Sequence, residues 1–369
     1  MNNRKLYFAT LSLAAISILV ISLMIGFSAS GQSGGSFQIR KSVIAGGGGQ
    51  ASGGAFTFNG TVGQSVAGTT SAGGNFALAS GFWGGGVTST TGRTLFDYDR
   101  DGRSDISIFR VSTGAWYLQR SSAGLYGILF GFSTDRITPA DFDGDGKTDI
   151  AVYRPSTGIW YIINSSNGTV SYRNFGLAQD LPAPADYDGD GLADISVYRQ
   201  STGTWYRQNS HDGSFYSIQF GTSEDKPTVG DFDGDGRADM AVFRPSVGAW
   251  YEINNSNGTV SGAQFGFGSD VIVPADYDGD GRTDLAVFRP STGIWYIRNS
   301  SNGTVTYNVF GLASDIPAPG DFDGDGRADI SVFRPSDGTW YRMNSSNGTF
   351  FAFPFGTSGD KPTQTAFRY

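Results

Sequence analysis

The 369-residue chain has no cysteine and a single histidine, His211. No disulfide can brace it and no lipid can be attached through a thiol, so packing and bound ions must supply its stability. Zinc sites built from Cys and His are excluded. So are the usual nucleophile–base pairs, because the one imidazole falls in Ser210-His211-Asp212-Gly213, where another unit carries Ser300-Ser301-Asn302. Charge is scarce as well. Only 16% of residues are Asp, Glu, Lys or Arg, and the formal balance of −8 argues against a nucleic-acid partner. Past the first thirty residues no segment shows helical periodicity.

What is abundant points the other way. The chain holds 55 Gly, 28 Phe, 17 Tyr and 7 Trp, a composition of short strands and tight turns, and its 38% hydrophobic content is enough for a core. Residues 1–30 read as a targeting segment. Arg4 and Lys5 precede an apolar run over residues 6–27, and Ser28, Ala29 and Ser30 offer a small-residue boundary for cleavage. The alternative is a retained N-terminal anchor. Either places the remainder outside the cytoplasm, secreted or at the cell surface, with the membrane touched only through an uncleaved segment.

The pattern Asp-x-Asp-x-Asp-x-x-x-Asp begins at Asp97, Asp141, Asp186, Asp231, Asp276 and Asp321, in steps of 44, 45, 45, 45 and 45 residues. A fixed period of this length marks a repeat architecture. Carboxylates stand at positions one, three, five and nine of each loop. They are Asp97, Asp99, Asp101 and Asp105; Asp141, Asp143, Asp145 and Asp149; Asp186, Asp188, Asp190 and Asp194; Asp231, Asp233, Asp235 and Asp239; Asp276, Asp278, Asp280 and Asp284; and Asp321, Asp323, Asp325 and Asp329. Position seven adds a backbone carbonyl, from Arg103, Lys147, Leu192, Arg237, Arg282 and Arg327. Hard oxygen donors in this number suit Ca²⁺, and glycines such as Gly144 and Gly146 permit the turn that gathers the odd positions. An EF-hand is excluded, since it needs a Glu at position twelve, where the second loop has Val152. About six Ca²⁺ ions are expected, and they would turn the formal −8 into +4.

Between loops the residues alternate as strands do. After the second loop, residues 150–154 form one strand, Pro155-Ser-Thr-Gly158 a turn, residues 159–163 a second strand, Asn164-Ser-Ser-Asn-Gly168 a hairpin, and residues 169–175 a third. A fourth leads into the next loop. Four short strands in about 45 residues, repeated, predict an all-β fold, a β-propeller of four-stranded blades. The chain ends on one strand of a further unit, with Ala366 where the next loop would start. Residues 37–83 offer three strand-like pieces, so the expectation is seven blades, the last composed of N- and C-terminal strands. The alternative is six blades plus an N-terminal β-module. The domains expected are residues 1–30, a Gly-rich β segment with linker over 31–93, and the propeller over 94–369.

These units resemble FG-GAP repeats, also called VCBS-type repeats, of integrin α-subunit propellers and bacterial surface proteins. The resemblance rests on Phe175-Gly176, Phe220-Gly221, Phe265-Gly266 and Phe310-Gly311, on degenerate Pro182-Ala-Pro-Ala185 and Pro317-Ala-Pro-Gly320, and on the loops. It implies that calcium lies in the hairpin between the first two strands of a blade and is structural. The first unit departs from the pattern, with Arg100 in place of Gly.

Three further series recur. Trp116, Trp160, Trp205, Trp250, Trp295 and Trp340 are expected in the inter-blade core; exposed, they would be sugar platforms. Arg110, Arg154, Arg199, Arg244, Arg289 and Arg334 are expected to pair with Asp135, Asp180, Asp225, Asp270, Asp315 and Asp360 as staples between blades. Outside the loops only Asp212, Glu224, Glu252 and Asp337 complete the acids, so no cluster unique to one unit suggests catalysis. Repeated units offer repeated sites, which suit multivalent binding of an extracellular glycan or protein. A lectin, a polysaccharide-degrading propeller and a surface-layer spacer are the alternatives.

Overall fold

The computed structural model describes residues 94–366 and, ahead of them, strands Gly48–Gly53, Phe56–Thr61, Thr70–Gly73 and Phe76–Ala79. The expected targeting segment, residues 1–30, lies outside the described residues. The chain divides into two compact units, residues 1–88 and 89–369. In the first unit Gly48–Gly53 pairs antiparallel with Phe56–Thr61, and Thr70–Gly73 with Phe76–Ala79. Among the described residues no helix is long and apolar enough to cross a membrane.

The second unit is a β-propeller of six blades, each a four-stranded antiparallel sheet. The second blade has an inner strand Arg136–Ile137, then Ile150–Arg154, Ile159–Ile163 and Val170–Asn174. The third runs Leu181–Pro182, Ile195–Arg199, Thr204–Gln208, Phe215–Gln219; the fourth Lys226–Gly230, Asp239–Arg244, Ala249–Ile253, Val260–Gln264. The fifth runs Val271–Ile272, Leu285–Arg289, Ile294–Arg298, Val305–Val309; the sixth Ile316–Pro317, Ile330–Arg334, Thr339–Met343, Phe350–Pro354. The first blade is composite. Its inner strand is the C-terminal Asp360–Pro362, set beside Ile106–Arg110, Ala115–Arg120 and Gly124–Leu129.

This corrects the expectation of seven blades. The C-terminal strand does supply an inner strand, but its partner is Ile106–Arg110, in the register Asp360↔Arg110, Lys361↔Phe109, Pro362↔Ile108. In the first repeat the described residues ahead of the loop, 94–96, form no strand. The last strand fills that vacancy, and the strands before residue 80 pair only among themselves.

Both faces of each second strand are buried, as Ile150, Ala151, Val152 and Tyr153 show. Alternating small and large residues let neighbouring twisted sheets interlock at interior packing density. The six recurrent tryptophans are all core, none more than 2% exposed. Each indole Nε1 donates to the carbonyl of the Phe that opens the Phe-Gly pair, from Trp116 to Phe130 at 2.7 Å through Trp340 to Phe355 at 3.0 Å. Each also tilts against the aromatic residue before the recurrent Arg, as Tyr198 does with Trp205 at 5.2 Å between ring centroids. The six recurrent tryptophans are therefore not exposed sugar platforms. The turn before Trp160 must be Gly158, at φ +70°, because a Cβ there would meet the carbonyl oxygen of Gly176 at 2.5 Å.

Candidate metal centres

In the second to sixth blades each loop joins the inner strand to the second strand; in the first blade, whose inner strand is C-terminal, the loop leads into Ile106–Arg110. In the loop beginning at Asp141, its carboxylate accepts the backbone N–H of Gly144 and Gly146 at 2.7 and 2.9 Å. Asp145 accepts the N–H of Lys147 at 2.8 Å, and Asp149 that of Phe142 at 2.8 Å. The chain is thus wound around its own carboxylates. Gly144 and Gly146 hold φ +78° and +85°, where a side chain is strained.

The arrangement draws the acids together. Six groups of at least three acids place one oxygen each within 4.8 Å of the others, among them Asp97–Asp99–Asp101, Asp141–Asp143–Asp149, Asp186–Asp188–Asp190, Asp231–Asp233–Asp239 and Asp276–Asp278–Asp280. Three position-three oxygens, on Asp99, Asp188 and Asp323, are buried without any hydrogen-bond partner. A buried carboxylate oxygen that accepts nothing is costly, and a cation relieves that cost. Burial pushes the position-nine acids up, Asp105 to about 7 and Asp149, Asp194, Asp239 and Asp329 to about 6. It also raises Asp97, Asp186, Asp231, Asp276, Asp284 and Asp321. Burial thus makes ionisation of the position-one and position-nine acids more costly than in water. An all-oxygen set of several carboxylates fits Ca²⁺.

Two features escaped the sequence. The hairpin between the third and fourth strands leans on the loop: Ser165 donates its N–H to Asp149 at 2.6 Å and its hydroxyl to Asp145 at 2.9 Å, while the Ser166 hydroxyl reaches Asp143 at 2.7 Å. Ser300 and Ser301, and Ser345 and Ser346, repeat this. The recurring Ser-Ser was the available signal, but it looks like ordinary turn composition. The second feature is at position seven. Its backbone N–H binds the position-five acid, and its side chain crosses to the preceding loop. Leu192 covers Gly144, Arg237 covers Gly189, Arg282 covers Gly234, Arg327 covers Gly279 and Arg103 covers Gly324.

The loops are also joined directly. The N–H at position eight donates to the position-one carbonyl of the preceding loop: Thr148 to Asp97, Ala193 to Asp141, Ala238 to Asp186, Thr283 to Asp231, Ala328 to Asp276 and Ser104 to Asp321, all at 2.6–2.8 Å. The last of these closes the circle.

The recurrent Arg–Asp pairs form, all six with two hydrogen bonds, as Arg154 makes to Asp135 at 3.0 and 2.8 Å. They differ from expectation in place. Each lies within one blade, between the entry to the inner strand and the end of the second strand. Asp135 also accepts the N–H of Phe132, which fixes the connector arriving from the preceding blade. His211 is an exposed turn residue.

A family model for the FG-GAP-like repeat matches residues 141–197, 186–242, 231–287 and 276–332. No curated protein matches the chain. Among solved structures, a streptogramin B lyase is similar at TM-score 0.49 and 10% identity, over 71% of this chain and 82% of that one. A virginiamycin B lyase from Staphylococcus aureus gives 0.45 and 11%, over 71% and 88%. An Agrocybe aegerita lectin that recognises non-reducing terminal N-acetylglucosamine gives 0.46 and 20%, over 68% and 76%. Scores below 0.5 at these identities carry no functional argument.

Proposed function

The chain belongs to the FG-GAP-like repeat family, and from that premise we propose that it is an exported, calcium-stabilised propeller that binds an extracellular glycan or protein. The observation that carries the calcium part is the set of buried, unpartnered carboxylate oxygens on Asp99, Asp188 and Asp323, each inside a cluster of acids. Ca²⁺ held by the four acids of a loop would offset the burial that raises the position-nine acids, and it does no chemistry beyond holding the hairpin. An exported chain would meet the millimolar calcium found outside cells, where modules of this kind bind at about 10⁻⁴–10⁻³ M.

Binding, rather than catalysis, is favoured because all acids of the ring but Asp212, Glu224, Glu252 and Asp337 stand in the loops and in the Arg–Asp pairs repeated in every blade. A fold that repeats its surface offers several weak contacts at once, which suits adhesion. With the tryptophans buried, the ligand surface must use other residues, such as the exposed Tyr172, Phe215, Tyr307 and Phe350 of the outer strands.

Two measurements test the proposal. Thermal melting in about 5 mM calcium against excess EDTA should show a stabilisation of about 1–2 kcal/mol per occupied loop, the value mass action gives for such affinities. An unchanged midpoint would overturn the structural metal. A glycan and protein array probed in calcium buffer should then give avidity-dependent hits, and a blank array would remove the adhesion reading while leaving the metal reading intact.

A further inference from the structure

The six units are not equally alike. Residues 141–185 agree with residues 276–320 at 34 of 45 positions, but with their neighbours 186–230 at only 22. The residue before each recurrent tryptophan runs Ala115, Ile159, Thr204, Ala249, Ile294, Thr339. The residue after each Phe-Gly runs Phe132, Leu177, Thr222, Phe267, Leu312, Thr357. The ring is therefore a three-blade half used twice, and many unit-specific features recur three blades away.

One such feature is an arginine inside a blade interface. Three residues stand side by side across the second, third and fourth strands. In the second and fifth blades they are Ala151–Ile162–Ser171 and Ala286–Ile297–Thr306. In the third and sixth they are Ser196–Arg207–Tyr216 and Ser331–Arg342–Phe351. Both arginines lie between two aromatic rings, with an unpaired Nε and an unpaired hydroxyl beside them on Ser196 or Ser331; they differ in what the next blade offers. Arg207 donates to Asn255 Oδ1 at 3.2 Å, and Asn255, on the hairpin of the next blade, donates in turn to the carbonyl of Tyr187. At the seam the corresponding hairpin is one residue shorter and has Ser121 in that place. Its hydroxyl turns to Asp101 and Asp105 instead.

Arg342 is left without a hydrogen-bond partner among the described residues. Its Nε is buried and unpaired. Its guanidinium lies between the rings of Phe322 and Phe351, at 5.2 and 4.8 Å. Ser331, only 1% exposed, also has its hydroxyl unpaired. A cavity of about 160 Å³ opens beside them, walled by Trp340, Phe351 and, from the first blade, Ile106. Asp329 and Asp323 of the adjoining loop act on the guanidinium through space. Neither forms an ion pair with it: Asp329 accepts from the N–H of Phe322 and Ser345, and Asp323 from Ser346.

We propose that this cavity is a carboxylate-binding site, in which the Arg342 fork and the Ser331 hydroxyl take the acid group and the aromatic walls take a small apolar body. Guanidinium presents paired N–H groups that match a carboxylate, and it is the one blade-interface arginine whose neighbour does not supply an acceptor. The volume suits a small acid or the acidic end of a larger ligand. The inference does not depend on the calcium or adhesion readings.

Calorimetric titration of the full chain in calcium buffer tests it, with benzoate, benzamide and glucuronate as probes. Benzoate should bind at one per chain, and benzamide at least about tenfold more weakly, since it lacks the second anionic oxygen. Arg342→Met should abolish benzoate binding and Arg342→Lys weaken it about tenfold, while Arg207→Met leaves it unchanged, each variant checked for native near-UV dichroism. Asn255→Ser should open the counterpart and raise the stoichiometry to two. Glucuronate binding with the same Arg342 dependence assigns the acid to a sugar; binding of benzoate alone assigns it to a non-sugar acid. Equal binding of acid and amide, wild-type binding by Arg342→Met, or no saturation by either acid up to about 50 mM would overturn the proposal.

Discussion

Set side by side, the two halves of the ring share their tryptophans, their Arg–Asp pairs and their loops, yet differ at one hairpin. Asn255 caps Arg207 in one half, and Ser121 leaves Arg342 uncapped in the other. The blade that carries each arginine is nearly the same. The neighbour across the cleft decides whether the guanidinium gains an acceptor. In a repeat protein, then, function need not arise from a new motif. It can arise from the loss of one side chain at a seam, where the first and last units meet.

The largest expected effect comes from chelator and pH together. Burial raises Asp105 to about 7, Asp149, Asp194, Asp239 and Asp329 to about 6, and Asp284 in the same direction, so the folded loops hold protons more tightly than the unfolded chain. Unfolding then releases protons, and stability must fall as pH rises from about 4 to about 7. In EDTA the midpoint should be higher at pH 5 than at pH 8. In calcium the ion replaces the proton and that trend should shrink or reverse. A single transition is expected in both, and two separate transitions would show that the halves melt independently. Next in size are Trp205→Ala and Trp340→Ala, counterparts with the same buried indole. Each should cost about 3–5 kcal/mol by urea unfolding, and a gap above about 1 kcal/mol would break the equivalence of the halves.

Asp225→Ala and Asp360→Ala separate the halves on purpose. Both remove a buried carboxylate from a partly exposed arginine, at a cost of about 2–3 kcal/mol after allowance for solvent. Asp360 also anchors the three-residue strand that completes the first blade, so its loss should speed amide exchange at Ile108 and Arg110 in particular. Exchange that accelerates equally in both variants would deny the seam any special weakness. The smallest effect is expected from Arg100→Gly. Arg100 sits at φ +64° where its counterpart Gly234 sits at +81°. Relief of a left-handed residue should stabilise by about 1 kcal/mol, and a loss would mean that its packing on Gly146 outweighs the strain.

Most of the fold was legible because repetition made it so. One 45-residue pattern located the loops, and residues 150–154 and 159–163 fell as strands where alternation placed them. The number of blades was not legible, because a lone strand such as Asp360–Pro362 shows that it needs a partner without showing which. Pairing is settled by register across 250 residues of intervening chain. That the acids of each loop gather was equally plain, since their spacing is local. Ser165 and Ser166 were not, because they reach Asp149 and Asp143 from another hairpin, and the side chain of Leu192 was not, because its contact is in the preceding loop.

The circle of bonds from each position-eight N–H to the preceding position-one carbonyl has a direction. It is a head-to-tail joint, closed at six by Ser104 and Asp321. Such a joint is indifferent to whether its two sides belong to one chain. A ring sprung at the Asp360–Pro362 seam presents a strand at one end and the edge of Ile106–Arg110 at the other, each complementary to the same feature on another copy. Closure is thus also a polymerisation brake, and conditions that loosen the seam at high concentration should yield strand-exchanged dimers before they yield unfolded monomers.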